Sequence, residues 1–167
     1  MFDSLDYFLA GLVKNTVLLR SFYEPIGQIL TPQILGYKKI DPYATPDSAG
    51  DPAKAKELLN SSSCHVPCKI DFWYPTDVSR PYMPDPKSVF TALKADLEAV
   101  GITVKETSKP WNGGYLDDVR TNHKADLYLL GWTGDYNAAD NFLGTFFANI
   151  DQNDFNTKAY PWGKTLS

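Results

Sequence analysis

A chain of 167 residues with 43% hydrophobic and 22% charged residues has the length and usage of one globular domain with a sizeable core. Its formal net charge of −4, with Lys38-Lys39 as the longest basic run, excludes a surface that tracks nucleic acid, which needs clustered cations. No apolar run reaches the ~20 residues that span a bilayer, and an N-terminus with Asp3, Asp6 and Lys14 does not fit a signal peptide, so the chain as written is expected to be soluble and without its own export signal.

Residues 2–22 keep a helical rhythm through Leu5, Phe8, Leu9, Leu12, Val13 and Thr16, and Glu24-Pro25 ends it. Residues 24–50 are punctuated by Pro and Gly, which break regular structure. Apolar residues such as Leu30, Ile34 and Leu35 persist between them, so this loop is expected to pack on a core. "DPAKAKELL" opens a helix with Asp51 as N-cap and Pro52 at its first position, where a missing N–H costs nothing.

"SSSCHVPCKI" holds both cysteines, Cys64 and Cys68. A metal site would need more ligands than Cys64, Cys68, His65 and the distant His123 supply locally. A disulfide and two free thiols both stay open, because the pairing depends on local geometry and on the compartment.

"CKIDFWYP", residues 68–75, alternates like a strand, with Ile70, Phe72 and Tyr74 on one face and Asp71 and Trp73 on the other. On that pattern Trp73 is read as a core residue. A Pro-rich loop follows, carrying Thr76, Asp77, Ser79, Arg80 and Tyr82. Residues 86–100 form the clearest helix, with Val89, Phe90, Leu93, Leu97 and Val100 in one stripe and Gly101 behind it. "ITVKET", 102–107, is a short strand. Residues 112–122 are predicted helical, with Tyr115, Leu116 and Val119 inward. The last strand, Ala125 to Trp132, is apolar enough for burial on both faces. A final helix is expected over 139–148, using Phe142, Leu143, Phe146 and Phe147.

Strand, helix, strand, helix, strand over 68–132 argues for an α/β layer with a partly parallel sheet. Ligands of such sheets bind beyond the carboxyl ends of the strands. "GWTGDYNAADNF" lies at one such end and the 75–82 loop at another. Asp135 and Asp140 could act as an acid–base pair, but aspartates are also common in turns and caps. The chain has no nucleophile elbow, Walker loop or HExxH, and nothing places His65 or His123 beside a serine. Trp132 and Tyr136 are read equally as core or as a binding platform, with glycine beside them to admit a close approach. Asp135 among aromatics suits a cation, because charge-assisted hydrogen bonds are about twice as strong as neutral ones.

"DLYLLGWTGDYNAADNFLGTFF" resembles the signature region of the family-five extracellular solute-binding proteins, the dipeptide- and oligopeptide-binding proteins of ABC importers. "GDPAKAKELL", "TPQILGY" and "DFWYPTDVSRPYMPDPKSVFTALKADLEAVGITV" are similar to further family segments in the same order. The resemblance covers residues 12–160 or so. It implies a type II periplasmic-binding-protein-like fold, of which this chain supplies a single α/β lobe, with a mixed sheet flanked by helices. Residues 1–167 are then one lobe-sized fragment whose partner lobe is absent.

The resemblance further implies a peptide-capturing protein, not an enzyme, with no cofactor, metal or catalytic residue. Asp135 would anchor the peptide α-amino group, with Trp132, Thr133, Gly134 and Tyr136 at the matching cleft positions. Its partners would be short peptides, the missing lobe and an ABC permease, with membrane contact only through a lipid anchor of an extracytoplasmic parent. The contrasting expectation is a non-binding fragment that self-associates through its exposed interlobe surface. Two departures from the family pattern stand out. Ala138-Ala139 replaces an acidic residue and proline, and the Cys64–Cys68 insert replaces a glycine-rich turn.

Overall fold

The computed structural model describes residues 29–41, 44–46, 50–62, 64, 67–120, 122 and 124–147. The helix expected over 2–22 lies outside them, as do His65 and His123. Residues 29–41 turn without forming a helix or strand, and Leu30 and Ile34 are buried. The loop therefore packs down at Leu30 and Ile34 only; Leu35, expected to pack with them, is 93% exposed.

Helix α1 (Pro52–Ser61) starts at Asp51, whose carboxylate accepts the Lys54 N–H at 2.8 Å. That bond satisfies one of the amides a helix start leaves open. Cys64 and Cys68 are joined in a disulfide with Cα atoms 5.2 Å apart, within the usual span of such a bridge. The bridge leads into strand β1 (Cys68–Pro75).

β1 buries Ile70, Phe72 and Tyr74 against helix α2 (Pro86–Ala99). Phe90 of α2 sits 4.8 Å from the Phe72 ring and 4.6 Å from the Tyr74 ring. Burying Phe72, Phe90 and Leu97, each essentially inaccessible, contributes about 1.5–3 kcal/mol per side chain. Asp85 caps α2 through the Lys87 and Ser88 amides. Gly101, at φ 99°, turns the chain into strand β2 (Ile102–Lys109). That left-handed conformation is open to glycine at little cost. β2 pairs in parallel with β1 along its whole length, from Cys68↔Ile102 to Pro75↔Lys109. It runs two residues past the stretch expected from sequence.

The helix predicted over 112–122 divides. A π-turn spans Trp111–Tyr115, and only Leu116–Arg120 is α-helical, here α3. Gly114 at φ 97° cannot continue a right-handed helix, so the chain kinks there. Tyr115 and Val119 are buried as expected, while Leu116 is half-buried. With Trp73 and Ala125 they form a second core on the opposite face of the sheet from α2. Trp73 is thus a core residue at 6% exposure.

The last strand is shorter than its apolar run suggests. Only Leu127–Tyr128 (β3) pairs with β1, in parallel, and both residues are half-buried. Pro75 explains where pairing ends. In a parallel ladder the next bond would run from the N–H of residue 75 to the Leu129 carbonyl, and proline has no N–H. The described sheet has the order β2-β1-β3 and is parallel throughout. Any antiparallel member of the expected mixed sheet is not among the described residues. Helix α4 (Ala139–Phe147) comes after the loop that leaves β3.

Asp118, on α3, is buried and accepts hydrogen bonds from Lys109, from Lys124 at 2.7 Å and from Asn122 at 2.8 Å. These donors, Lys109 foremost, hold its carboxyl well below the usual carboxylate range. A depressed folded-state pKa stabilises the fold above the unfolded value and loses that stabilisation as pH falls. Chemical-denaturation midpoints measured between pH 7 and pH 3 should therefore drop more steeply in the natural chain than in Asp118→Asn. The variant should be less stable at pH 7, and the gap between the two curves should narrow toward pH 3.

Candidate functional site

Because β1, β2 and β3 are parallel, their carboxyl ends share one edge of the sheet. The chain leaving each strand contributes to that edge. After β1, residues 76–83 turn back through Arg80 and Met83, whose backbones exchange bonds of 3.1 and 2.9 Å. Met83 is buried beneath the turn. Asp77 accepts the Trp111 N–H, tying this loop to the π-turn after β2. The Arg80 guanidinium lies 5.6 Å from the Trp111 ring centroid, and Trp111 stacks on Tyr115 at 5.9 Å. A cation over an indole face is held electrostatically and pre-oriented.

Tyr115 secures the third exit. Its hydroxyl donates to the Leu129 carbonyl at 2.7 Å and lies 3.3 Å from the Trp73 carbonyl. It thus takes the acceptor that Pro75 cannot serve. Burial pushes the Tyr115 hydroxyl pKa well up, so it stays a donor at physiological pH.

Beyond Leu129 come the residues expected to bind. Trp132 is 41% exposed and Tyr136 55%; Thr133 and Asp135 are exposed and Gly134 is half-buried. The Trp132 indole N–H donates to Asn141 Oδ1 at 3.0 Å, and its ring meets Phe146 edge-on at 5.6 Å. The Tyr136 hydroxyl donates to Asp140 at 2.7 Å. That bond to a carboxylate raises the Tyr136 pKa, with the charges of Asp140 and Asp135 adding to it. Two glycines let the loop lie close to its supports. A Cβ on Gly131 would fall 2.0 Å from the Tyr82 ring, and one on Gly134 would fall 2.5 Å from Phe142 Cζ.

The two aspartates separate by role. Asp140 stands in the first turn of α4 and is engaged by Tyr136. Among the described residues none pairs with the Asp135 carboxylate. This end of the sheet therefore offers an exposed carboxylate in a loop with two half-open aromatics, and a stacked guanidinium on the neighbouring loop. An unpaired carboxylate of this kind suits an ammonium, because charge-assisted hydrogen bonds are about twice as strong as neutral ones. Among the described residues no three His, Cys, Asp or Glu side chains gather to hold a metal.

The sequence places Tyr82 in a strand-end loop and Tyr115 inward, but it does not show what they touch. Tyr82 and Tyr115 act through contacts across 49 and 14 residues, which no local pattern reveals. Asn141 does carry a signal: it is an amide in the first turn of a helix otherwise marked by Phe142, Leu143 and Phe146.

The family model for bacterial extracellular solute-binding proteins, family 5 middle region, matches residues 14–154. The chain is similar to the dipeptide-binding protein of Escherichia coli K12, with 29% identity over 144 residues, 84% of this chain and 26% of that protein. It is 30% identical over 162 residues to di/tripeptide-binding protein 1 of Pseudomonas aeruginosa UCBPP-PA14, covering 92% of this chain and 29% of that protein. Its fold is similar to that of the ABC transporter-associated periplasmic binding protein DppA from Helicobacter pylori, solved with a bound peptide. The TM-score is 0.70 at 24% identity, over 93% of this chain and 28% of that one. The fold is thus α/β and periplasmic-binding-protein-like, and the chain spans under a third of the length of the relatives it matches.

The close approach at Gly131 is testable by itself. Gly131→Ala must displace the Tyr82 ring or the loop, at a cost of about 1–3 kcal/mol for overpacking. Thermal melting should fall accordingly, with amide shifts concentrated in residues 80–83 and 129–134. A variant that melts like the natural chain would show that the Tyr82 ring is not held there.

Proposed function

The chain belongs to the bacterial extracellular solute-binding proteins of family 5, and from that premise we propose that it is a peptide-binding lobe that captures short peptides for an ABC importer. One observation carries the reading: the Asp135 carboxylate is exposed and without a partner among the described residues, in the same short loop as the half-open rings of Trp132 and Tyr136. A free peptide amine is the cation that fits, since it brings both charge and hydrogen-bond donors to a carboxylate. The names of the relatives, dipeptide- and di/tripeptide-binding proteins, point the same way. Arg80, held over Trp111 on the loop that leaves β1, is a candidate partner for the peptide's carboxylate.

The family is one of binding proteins, and no reaction is proposed for this chain. Its partners on this reading are short peptides, a second lobe that closes over them, and a permease. A parent outside the cytoplasmic membrane, anchored by lipid, fits the extracellular character of the family. A cleft shared between lobes excludes water only when both are present, so this lobe by itself should bind weakly.

A second reading has its own observation. Leu35 is 93% exposed, and Ile40, Ile29 and Leu143 are also open. A non-binding fragment that self-associates would use exposed apolar residues such as these. Sedimentation at increasing concentration, with no response to peptide, would favour that view.

Tri-alanine titrated into the labelled chain should shift the amides of residues 132–136. Asp135→Ala should weaken the apparent affinity by at least about tenfold, as loss of a hydrogen bond to a charged group implies. Asp135→Ala binding as tightly as the natural chain would remove Asp135 from the anchor role.

A further inference from the structure

We propose that Asn141 is a positioning residue whose side-chain amide folds the loop from Trp132 to Tyr136 into its binding shape. For the ligand this rests on the peptide-binding reading; for the loop it rests on geometry alone. Asn141 is 4% exposed. Its Oδ1 accepts the Trp132 indole N–H at 3.0 Å, and its Nδ2 donates to the Tyr136 carbonyl at 2.8 Å. Those partners stand at the two ends of the loop, with Thr133, Gly134 and Asp135 between them. One amide therefore closes the span.

The partners fix the amide's orientation. An indole nitrogen only donates and a carbonyl only accepts, so each end of the amide has one permitted neighbour. Aspartate would set a second acceptor against the Tyr136 carbonyl. Leucine would leave the indole N–H and the carbonyl without their partner, which is costly where water is scarce.

Asn141 is itself held by the helix and the turn before it. Its N–H donates to the Ala138 carbonyl at 3.2 Å, and its carbonyl accepts the Thr145 hydroxyl at 2.7 Å. Phe142 fills the space under Gly134, and Phe146 meets Trp132. α4 is therefore the template, and the Asn141 amide transfers its position to the loop. Asp135 lies inside the closed span, so its placement derives from the two bonds at the ends. Preorganisation of this kind lowers the ordering cost paid on binding.

The test uses the whole chain labelled with nitrogen-15, with Trp132→Phe to assign the indole signal. In Asn141→Ala, hydrogen exchange of the Trp132 indole should speed up by about tenfold or more, as loss of its hydrogen bond to a buried amide implies. Amides 132–136 should shift while those of β1 and β2 stay in place. Asn141→Asp keeps the acceptor and loses the donor. There the indole should remain protected, and shifts should centre on Tyr136 and Asn137.

Loop signals unchanged in both variants would overturn the proposal. So would equal disturbance of loop and sheet in Asn141→Asp, which would make the residue a general fold element; if Asn141→Ala does not fold, Asn141→Asp alone decides. Tri-alanine affinity should fall at least about fivefold in Asn141→Asp, in keeping with lost preorganisation. A natural chain that ignores tri-alanine would count against the peptide-binding reading only, because the indole pattern judges the loop without ligand.

Discussion

The site depends on the place where β1 runs out of hydrogen-bond donors. β1 lies between β2 and β3, and both pair with it in parallel. Three carboxyl ends must then share one edge. Against β3 the ladder stops at Pro75, which has no N–H for the Leu129 carbonyl. The Tyr115 hydroxyl serves that carbonyl instead, from across the second core. The chain is thus held at Leu129 and released just beyond it, where the aromatic and acidic loop begins.

The segment beyond Leu129 is shaped by close contact more than by secondary structure. Tyr82 lies where a side chain on residue 131 would be, and Phe142 where one on residue 134 would be. Both contacts draw the loop toward neighbouring elements and leave Trp132, Asp135 and Tyr136 toward solvent. The neighbouring loop is ordered in parallel by Asp77 on the Trp111 amide and by Arg80 over the Trp111 ring. On the proposed reading, a carboxylate on the loop after β3 and a guanidinium held over Trp111 on the loop after β1 suit a zwitterion.

Much of this architecture is legible in the residues. The amphipathic alternation of 68–75 marks β1 with its boundaries and puts Phe72 and Trp73 on opposite faces. The stripe of Val89, Phe90, Leu93 and Leu97 marks α2, and Asp51-Pro52 marks the start of α1. Two elements are shorter than their patterns predict, each because of one residue whose backbone cannot continue the structure: Pro75 opposite β3 and Gly114 in the helical stretch. Leu129 and Leu130 are apolar but lie past the last pair with β1, so they do not extend the ladder. Trp111–Tyr115 carries a glycine at φ 97°, which splits a helical pattern that Tyr115 and Val119 otherwise satisfy. At the site, composition beside glycine marks Trp132, Asp135 and Tyr136. It does not mark Tyr82, Tyr115 or the Asn141 amide, because their roles are tertiary and pair residues that no local spacing links.

The central claim is that a carboxylate at Asp135 receives a peptide amine. The most direct measurement compares tri-alanine with N-acetyl-tri-alanine in amide NMR titrations of the same chain at low salt. Acetylation removes the charge and two donors while keeping the backbone and side chains. The account predicts saturable shifts at 132–136 with the free amine and at least about tenfold weaker binding with the acetylated peptide, since a charged hydrogen bond is lost. Equal affinity for the two peptides would contradict it, and would place recognition in the aromatic rings or the peptide backbone.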